Sequence, residues 1–106
     1  MALTRSFKDL VQARATTNPA FATTLLHEAV DQLLAGDLET GKIILRDYIK
    51  ATIGWENLAE ATGAPAKSLI RMFGPKGNPQ ARNLLTVLHH LQRQAGIELH
   101  VAPTQT

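Results

Sequence analysis

Apolar residues recur at helical spacing in the first half of the chain, and residues typical of helix ends separate the segments. A helix is expected to begin at Ser6, which starts a capping box. A second begins at Asn18-Pro19, where a cap precedes a residue preset for the first turn, and ends at Gly36. A third follows at once, with Asp37 as its cap. The pattern therefore predicts three helices in this half of the chain.

Two shorter helices are expected next, over residues 55–62 and 65–73, with Gly63 in the turn between them. Glycine reaches positive φ without steric cost, which suits a sharp turn. Leu58 and Leu69 are placed to meet in the core between the two helices. The sequence thus predicts a tight helical corner, which is the geometry of helix-turn-helix motifs.

A sixth helix is expected to open at Asn78-Pro79 and to close at Gly96. Its predicted buried side consists of aliphatic residues: Leu84, Leu85, Val87, Leu88 and Leu91. Residues 97–101 (IELHV) then alternate apolar and polar with period two, which predicts a strand. The predicted fold class is all-α, with one short C-terminal strand.

Composition restricts the class of protein. A chain of 106 residues, 44% of them hydrophobic, is long enough for one domain with a core. No apolar run approaches the ~20 residues of a membrane span, and the N-terminus lacks the apolar stretch of a secretory signal. Because there is no cysteine, disulfides and thiolate metal sites are excluded. We therefore expect a cytoplasmic protein that makes no membrane contact.

The net charge of +2 is unevenly distributed. Residues 1–54 contain six basic and six acidic side chains, whereas the stretch between Gly63 and Ile97 has no Asp or Glu. Its basic residues are Lys67, Arg71, Lys76, Arg82 and Arg93. A field of this sign favours a polyanionic partner. A solvated basic face without a partner is the alternative.

Residues that suggest catalysis or metal binding are better explained as ordinary surface. His89 and His90 diverge by about 100° on a helix, which excludes an i, i+4 chelate. His27-Glu28 has no nucleophile beside it. The acidic residues are spread over separate turns: Asp31, Asp37, Glu39 and Asp47. No phosphate-cradling loop, hydrolase elbow or metal signature is present, so we expect no enzyme activity, cofactor or metal site.

The second helix of the corner has a polar outer face with no carboxylate. This face is predicted to present Ala66, Lys67, Ser68, Ile70 and Arg71. Lys67 and Arg71 lie four residues apart and therefore on one side of the helix, where both reach a major groove. Arg71 suits a bidentate contact to guanine. The residues favour a DNA-reading helix over a purely structural corner.

The segments LAEATGAPAKSLIRM, GNP and NLLTVLHHL together resemble the lambda-repressor-like helix-turn-helix of phage repressors. More narrowly, residues 33–101 are similar to the addiction-module antidote proteins, which are small DNA-binding antitoxins paired with a toxin. The framework that carries the resemblance is Leu58-Ala59, Gly63, Leu69 and Asn78-Pro79.

This resemblance implies site residues. The base-reading positions fall on Ala66, Lys67, Ser68 and Arg71. The phosphate-contacting positions fall on Lys76, Gly77, Asn78, Arg82 and Asn83. Two positions depart from the family. Pro65 replaces the usual Ser or Thr cap, and Trp55 replaces a polar residue that often opens the motif, so that packing is the alternative role for Trp55.

Three regions are predicted: a helical extension (1–36), a helix-turn-helix DNA-binding domain with its strand (37–102) and a tail (103–106). The predicted function is that of a sequence-specific DNA-binding transcriptional regulator, the antitoxin of a type II toxin–antitoxin module that represses its own operon. A homodimer is expected to place two recognition helices in successive major grooves of a palindromic operator, in the cytoplasm at the nucleoid.

Several alternatives stay open at this point. Dimerisation is assigned either to the 97–101 strand or to the N-terminal helices, and toxin binding to residues 1–36. A stand-alone phage-like repressor without a toxin is the alternative within the same class. A protein-interaction module that uses an exposed Ile70 and Phe73 as apolar contacts is the alternative from a different class.

Overall fold

The computed structural model describes residues 19–101 and residue 103. Over these residues the chain forms five helices and no strand. The helices are α1 (Pro19–Leu34), α2 (Leu38–Ala51), α3 (Trp55–Thr62), α4 (Ala66–Met72) and α5 (Ala81–Ala95). The prediction of an all-α class is confirmed, whereas the helix predicted from Ser6 lies outside the described residues. None of the described helices is long and apolar enough to cross a membrane.

The helix ends around α2 follow the predicted local chemistry. Gly36 takes φ 88°, the left-handed conformation that ends a helix. The Asp37 side chain then accepts a hydrogen bond from the amide of Thr40 at 3.1 Å, which caps α2. Hydrogen bonding to the carboxylate lowers the pKa of Asp37. Two of the three residues between α1 and α2, Gly36 and Asp37, therefore specify a stop and a start.

Both helices that follow prolines begin later than predicted. Pro65 is the N-cap of α4 rather than its first residue, with ψ 142°. Asn78-Pro79 does not open α5, which begins at Ala81 after an extended Gln80. The Gln80 carbonyl instead accepts the first main-chain hydrogen bond of α5, from the amide of Leu84 at 2.9 Å.

The strand predicted over residues 97–101 does not form in the described part of the chain. The alternation is present over residues 97–100, because Ile97 and Leu99 pack against the core while Glu98 and His100 are exposed, and it ends at Val101, which is exposed as well. The Leu99 amide donates to the side-chain oxygen of Gln92 at 2.7 Å. A strand requires a backbone partner, and this amide is satisfied by a side chain instead.

One core joins residues of all five helices. Its fully buried members include Leu26, Leu45, Tyr48, Ile49, Leu58 and Leu91. Burial raises the pKa of the Tyr48 phenol. Leu85, predicted to be buried, is instead 64% exposed. It lies about 100° around the helix from the buried stripe formed by residues 84, 87, 88 and 91.

Gly41 explains how closely α1 and α2 pack. A Cβ at this position would lie 2.5 Å from Cδ2 of Leu33. Gly41 has a low helix propensity, which weakens the first turn of α2. Because it has no side chain, it also allows close contact with α1.

Candidate nucleic-acid interface

α3 and α4 form the predicted helical corner. Gly63 ends α3 with φ 77°, and its amide donates to the carbonyl of Ala59 at 2.8 Å. The turn of residues 63–65 leads directly into α4. Leu58 and Leu69 are both buried, as their spacing predicted. These contacts fix α4 by one side and leave its other side to solvent.

The solvent side of α4 carries the predicted polar residues. Lys67, Ser68 and Arg71 are exposed, and Ile70 is 44% exposed beside them. Ala66 is half-buried and contributes little to this face. We call the exposed set Lys67, Ser68, Ile70 and Arg71 the α4 face.

Trp55 packs at the base of the corner. Its ring centroid lies 6.1 Å from that of Phe73 in a tilted arrangement, and the Trp55 side chain is half-buried. This contact agrees with packing as the role of Trp55. Phe73 is only 1% exposed, so the prediction of an exposed Phe73 in the interaction-module alternative is wrong. Phe73 caps α4 and faces the core, where aromatic burial contributes most.

A groove of about 510 Å³ lies beside Arg71, between α4 and the start of α5. We call it the α4–α5 groove. It brings together six of the nine predicted site residues: Ser68, Arg71, Lys76, Gly77, Asn78 and Asn83. The remaining three do not line it: Ala66, Lys67 and Arg82. Residues predicted to read bases and residues predicted to contact phosphates thus share one concave surface.

Residues 74–77 form a tight turn below this groove, in which the Gly77 amide donates to the Gly74 carbonyl at 3.0 Å. A Cβ on Gly77 would overlap the carbonyl oxygens of Arg71 and Met72. Gly77 therefore allows the chain to lie directly on the end of α4. Its amide is used within the turn, and the phosphate contact expected at Gly77 stays a prediction.

The start of α5 is open at one end of the groove. Gln80 makes no side-chain capping bond, and the first main-chain bond of the helix runs from Leu84 to the Gln80 carbonyl. Within the described residues, the amides of Ala81, Arg82 and Asn83 therefore donate to no main-chain carbonyl. A helix start of this kind carries a partial positive charge and favours an anion.

The cations around the groove are free of carboxylates. In the described part of the chain the ion pairs are Lys42 with Glu39 and His100 with Glu98. Lys67, Arg71 and Lys76 accordingly have no acidic partner there, and the same holds for Arg82. An unpaired set of cations leaves its charge available to a polyanion.

Sequence reasoning missed Lys42, which holds the turn from below. The side chain is buried, and its Nζ donates to the carbonyls of Gly74 at 3.0 Å and Gly77 at 2.6 Å. The signal was available, because Lys42 falls on the stripe of α2 that Leu45 and Ile49 continue. A lysine on an apolar stripe requires buried acceptors.

In the part of the chain that the structure describes, no group of three His, Asp or Glu side chains is placed to hold a metal ion. His89 and His90 make an edge-on ring contact with centroids 5.6 Å apart.

Comparison of the chain with protein-family models, curated proteins and solved structures gives no match.

Proposed function

We propose that this chain is a sequence-specific DNA-binding transcriptional regulator in which α3 and α4 form a helix-turn-helix and α4 lies in the major groove. The observation that carries the proposal is the α4 face, which exposes Lys67, Ser68 and Arg71 without a carboxylate partner among the described residues. The major groove of B-DNA admits a helix and presents a distinct donor and acceptor pattern for each base pair.

The side chains of the α4 face suit different contacts. Arg71 has the planar donor fork that matches N7 and O6 of guanine. Ser68 both donates and accepts, and the exposed part of Ile70 suits a thymine methyl. Lys67 adds a charge that reaches either a base edge or a phosphate. We assign sequence preference to these residues.

The α4–α5 groove suits the phosphate backbone next to the major groove. Lys76 and Asn78 are exposed and line it, and Asn83 in the first turn of α5 lines it as well. Arg82 is exposed in the first turn of α5, where it extends the positive surface. Contacts of this kind set orientation on the duplex and carry no sequence information directly.

We further propose a homodimer that binds a palindromic operator, with half-sites about one helical turn, roughly 34 Å, apart. We also propose that the protein is the antitoxin of a toxin–antitoxin module, represses its own operon and has no catalytic role. These parts rest on the resemblance of residues 33–101 to the antidote proteins. A short neighbouring gene for a small basic protein, if one is found, would favour the antitoxin over a stand-alone repressor.

The interaction-module alternative loses support from the burial of Phe73. Of its two proposed apolar contacts, only Ile70 is exposed, and it is surrounded by polar residues on the α4 face. One isolated apolar side chain does not form a docking patch.

The experiment that tests DNA binding is fluorescence anisotropy with a duplex from the region upstream of the gene and a scrambled duplex. Wild type is compared with Lys67→Ala/Arg71→Ala. The matched control is Lys50→Ala/Arg93→Ala, which removes the same charge from exposed positions outside the α4 face. Titrations at two salt concentrations separate specific contacts from general electrostatic attraction.

We expect wild type and the control to prefer the upstream duplex. We expect the α4 double variant to lose that preference while it keeps salt-sensitive binding to both duplexes. Equal binding of both duplexes by wild type contradicts specific recognition. Loss of preference in the control as well contradicts the assignment of the α4 face.

A further inference from the structure

Lys42 uses its charge inside the protein. The residue is 1% exposed, and its ammonium donates to the carbonyls of Gly74 at 3.0 Å and Gly77 at 2.6 Å. The same nitrogen lies 3.4 Å from a carboxylate oxygen of Glu39. A lysine ammonium has three donors, and here each has an oxygen atom within reach. A buried cation satisfied in this way is held in one position.

The acceptors of Lys42 are the two ends of one turn. The amide of Gly77 donates to Gly74 at 3.0 Å, and the amide of Gly74 donates to the carbonyl of Arg71 at 3.1 Å. Lys42 therefore links α2 to the turn of residues 74–77 and, through it, to the end of α4. The link spans 32 to 35 residues of sequence.

This turn carries part of the candidate interface. Lys76 lies within it, and Asn78 follows it directly. Both line the α4–α5 groove, whereas Lys42 does not. In the described part of the chain, Lys42 is the only donor to the carbonyl of Gly77. Removing it frees a loop that must be ordered again when a phosphate binds.

We propose that Lys42 is a positioning residue for DNA binding. It makes no contact with DNA, and it holds the 74–77 turn so that Lys76 and Asn78 meet the phosphate backbone. This inference rests on the proposed function. Its rival is a purely structural role, in which loss of Lys42 weakens the fold and affects every DNA contact alike.

The first measurement compares Lys42→Met with Lys50→Met by anisotropy on the upstream duplex. Methionine keeps the length of the side chain and removes the ammonium. Lys50 is an exposed lysine of the same helix, so its variant loses the same charge. We expect Lys42→Met to bind about tenfold more weakly and Lys50→Met to change affinity by about twofold at most.

The decisive measurement is a pair of double-mutant cycles. We expect Lys76→Ala to weaken binding about fivefold in wild type and less than about twofold in Lys42→Met, because Lys76 is no longer held in place. Lys67→Ala should cost the same factor in both backgrounds, since Lys67 lies in the first turn of α4, away from the turn of residues 74–77, and does not line the groove. Equal coupling of Lys42 to both residues, or to neither, overturns the proposal.

A second observable does not need DNA. Amide hydrogen exchange at Gly77 reports its bond to Gly74, and we expect about tenfold faster exchange in Lys42→Met with unchanged protection in the middle of α5. Unchanged exchange at Gly77 overturns the proposal.

Should Lys42→Met not fold, Lys42→Gln, which shortens the link but keeps a donor, is taken through the same cycles. If wild type shows no preference for its own DNA, the proposed function itself fails, and that result is distinct from each of these.

Discussion

The α1–α2 pair and the α3–α5 region fix their helix ends in different ways. Between α1 and α2, one glycine with positive φ and one capping carboxylate, Asp37, specify the connection locally. The starts of α3, α4 and α5 have no side-chain cap at all. The α3–α4 connection still uses a glycine with positive φ, Gly63, whereas the α4–α5 connection is held by tertiary contacts at Lys42 and Gly77.

The difference follows the location of the proposed site. A capped helix start has used its amides, whereas an uncapped start keeps donors available for a ligand. The region with open helix starts also contains the stretch between Gly63 and Ile97, which has no acidic residue. The proposed site therefore lies where local stabilisation is weakest, and contacts from α2 and from within the core compensate.

The largest effect in this comparison is expected from Gly77→Ala. A methyl group there would overlap the carbonyl oxygens of Arg71 and Met72, which are main-chain atoms and cannot rotate away. We expect the free energy of unfolding to fall by about 3 kcal/mol, measured by urea denaturation. A loss below about 1 kcal/mol contradicts the close approach, and Gly77→Asn should be no better tolerated.

Gly63→Ala should have a smaller effect, because the constraint at that turn is a backbone angle. A Cβ at Gly63 would meet nothing within 4 Å, yet its φ of 77° is unfavourable for alanine. We expect a loss of about 1 to 2 kcal/mol. Gly63→Asn should recover part of it, since asparagine tolerates this conformation. Equal losses for Ala and Asn contradict a purely conformational cause.

Gly41→Ala tests the α1–α2 side of the comparison. A Cβ at Gly41 also meets a neighbour too closely, at 2.5 Å, but that neighbour is the end of the flexible Leu33 side chain. The cost of moving Leu33 is offset by a gain in helix propensity of up to about 1 kcal/mol. We expect the free energy of unfolding to stay within about 1 kcal/mol of wild type. A loss as large as that of Gly77→Ala means that α1 and α2 cannot adjust.

The same two regions show what sequence alone predicts. The presence of five helices within residues 19–95, the stop at Gly36, the cap at Asp37 and the positive φ at Gly63 are local properties, and the structure confirms them. The exposure of Lys67, Ser68 and Arg71 followed from the burial of Leu69 by helical geometry.

The parts that could not be predicted depend on distant partners. Nothing near Gly77 in sequence shows that the end of α4 will lie on it, and the acceptors of Lys42 lie 32 and 35 residues away. The predicted strand at residues 97–101 failed for the same reason, because alternation specifies which side chains are buried and leaves the backbone partner unspecified.

The smallest effect is expected at Asp37, where the contact is local and exposed. Its pKa is lowered in the folded state by the hydrogen bond from Thr40. A carboxyl with a lowered pKa stabilises the fold above its unfolded pKa, and that contribution is lost as the pH falls through the folded value. Asp37→Asn keeps the capping acceptor but removes the charge near the helix start. We therefore expect wild type to melt slightly above Asp37→Asn at about pH 7, with the difference shrinking as the pH falls below the ordinary Asp pKa of 3.8. Thermal unfolding followed by circular dichroism gives the melting temperature of both proteins at each pH. A difference between them that persists or grows in acid means that the charge of Asp37 does not stabilise α2.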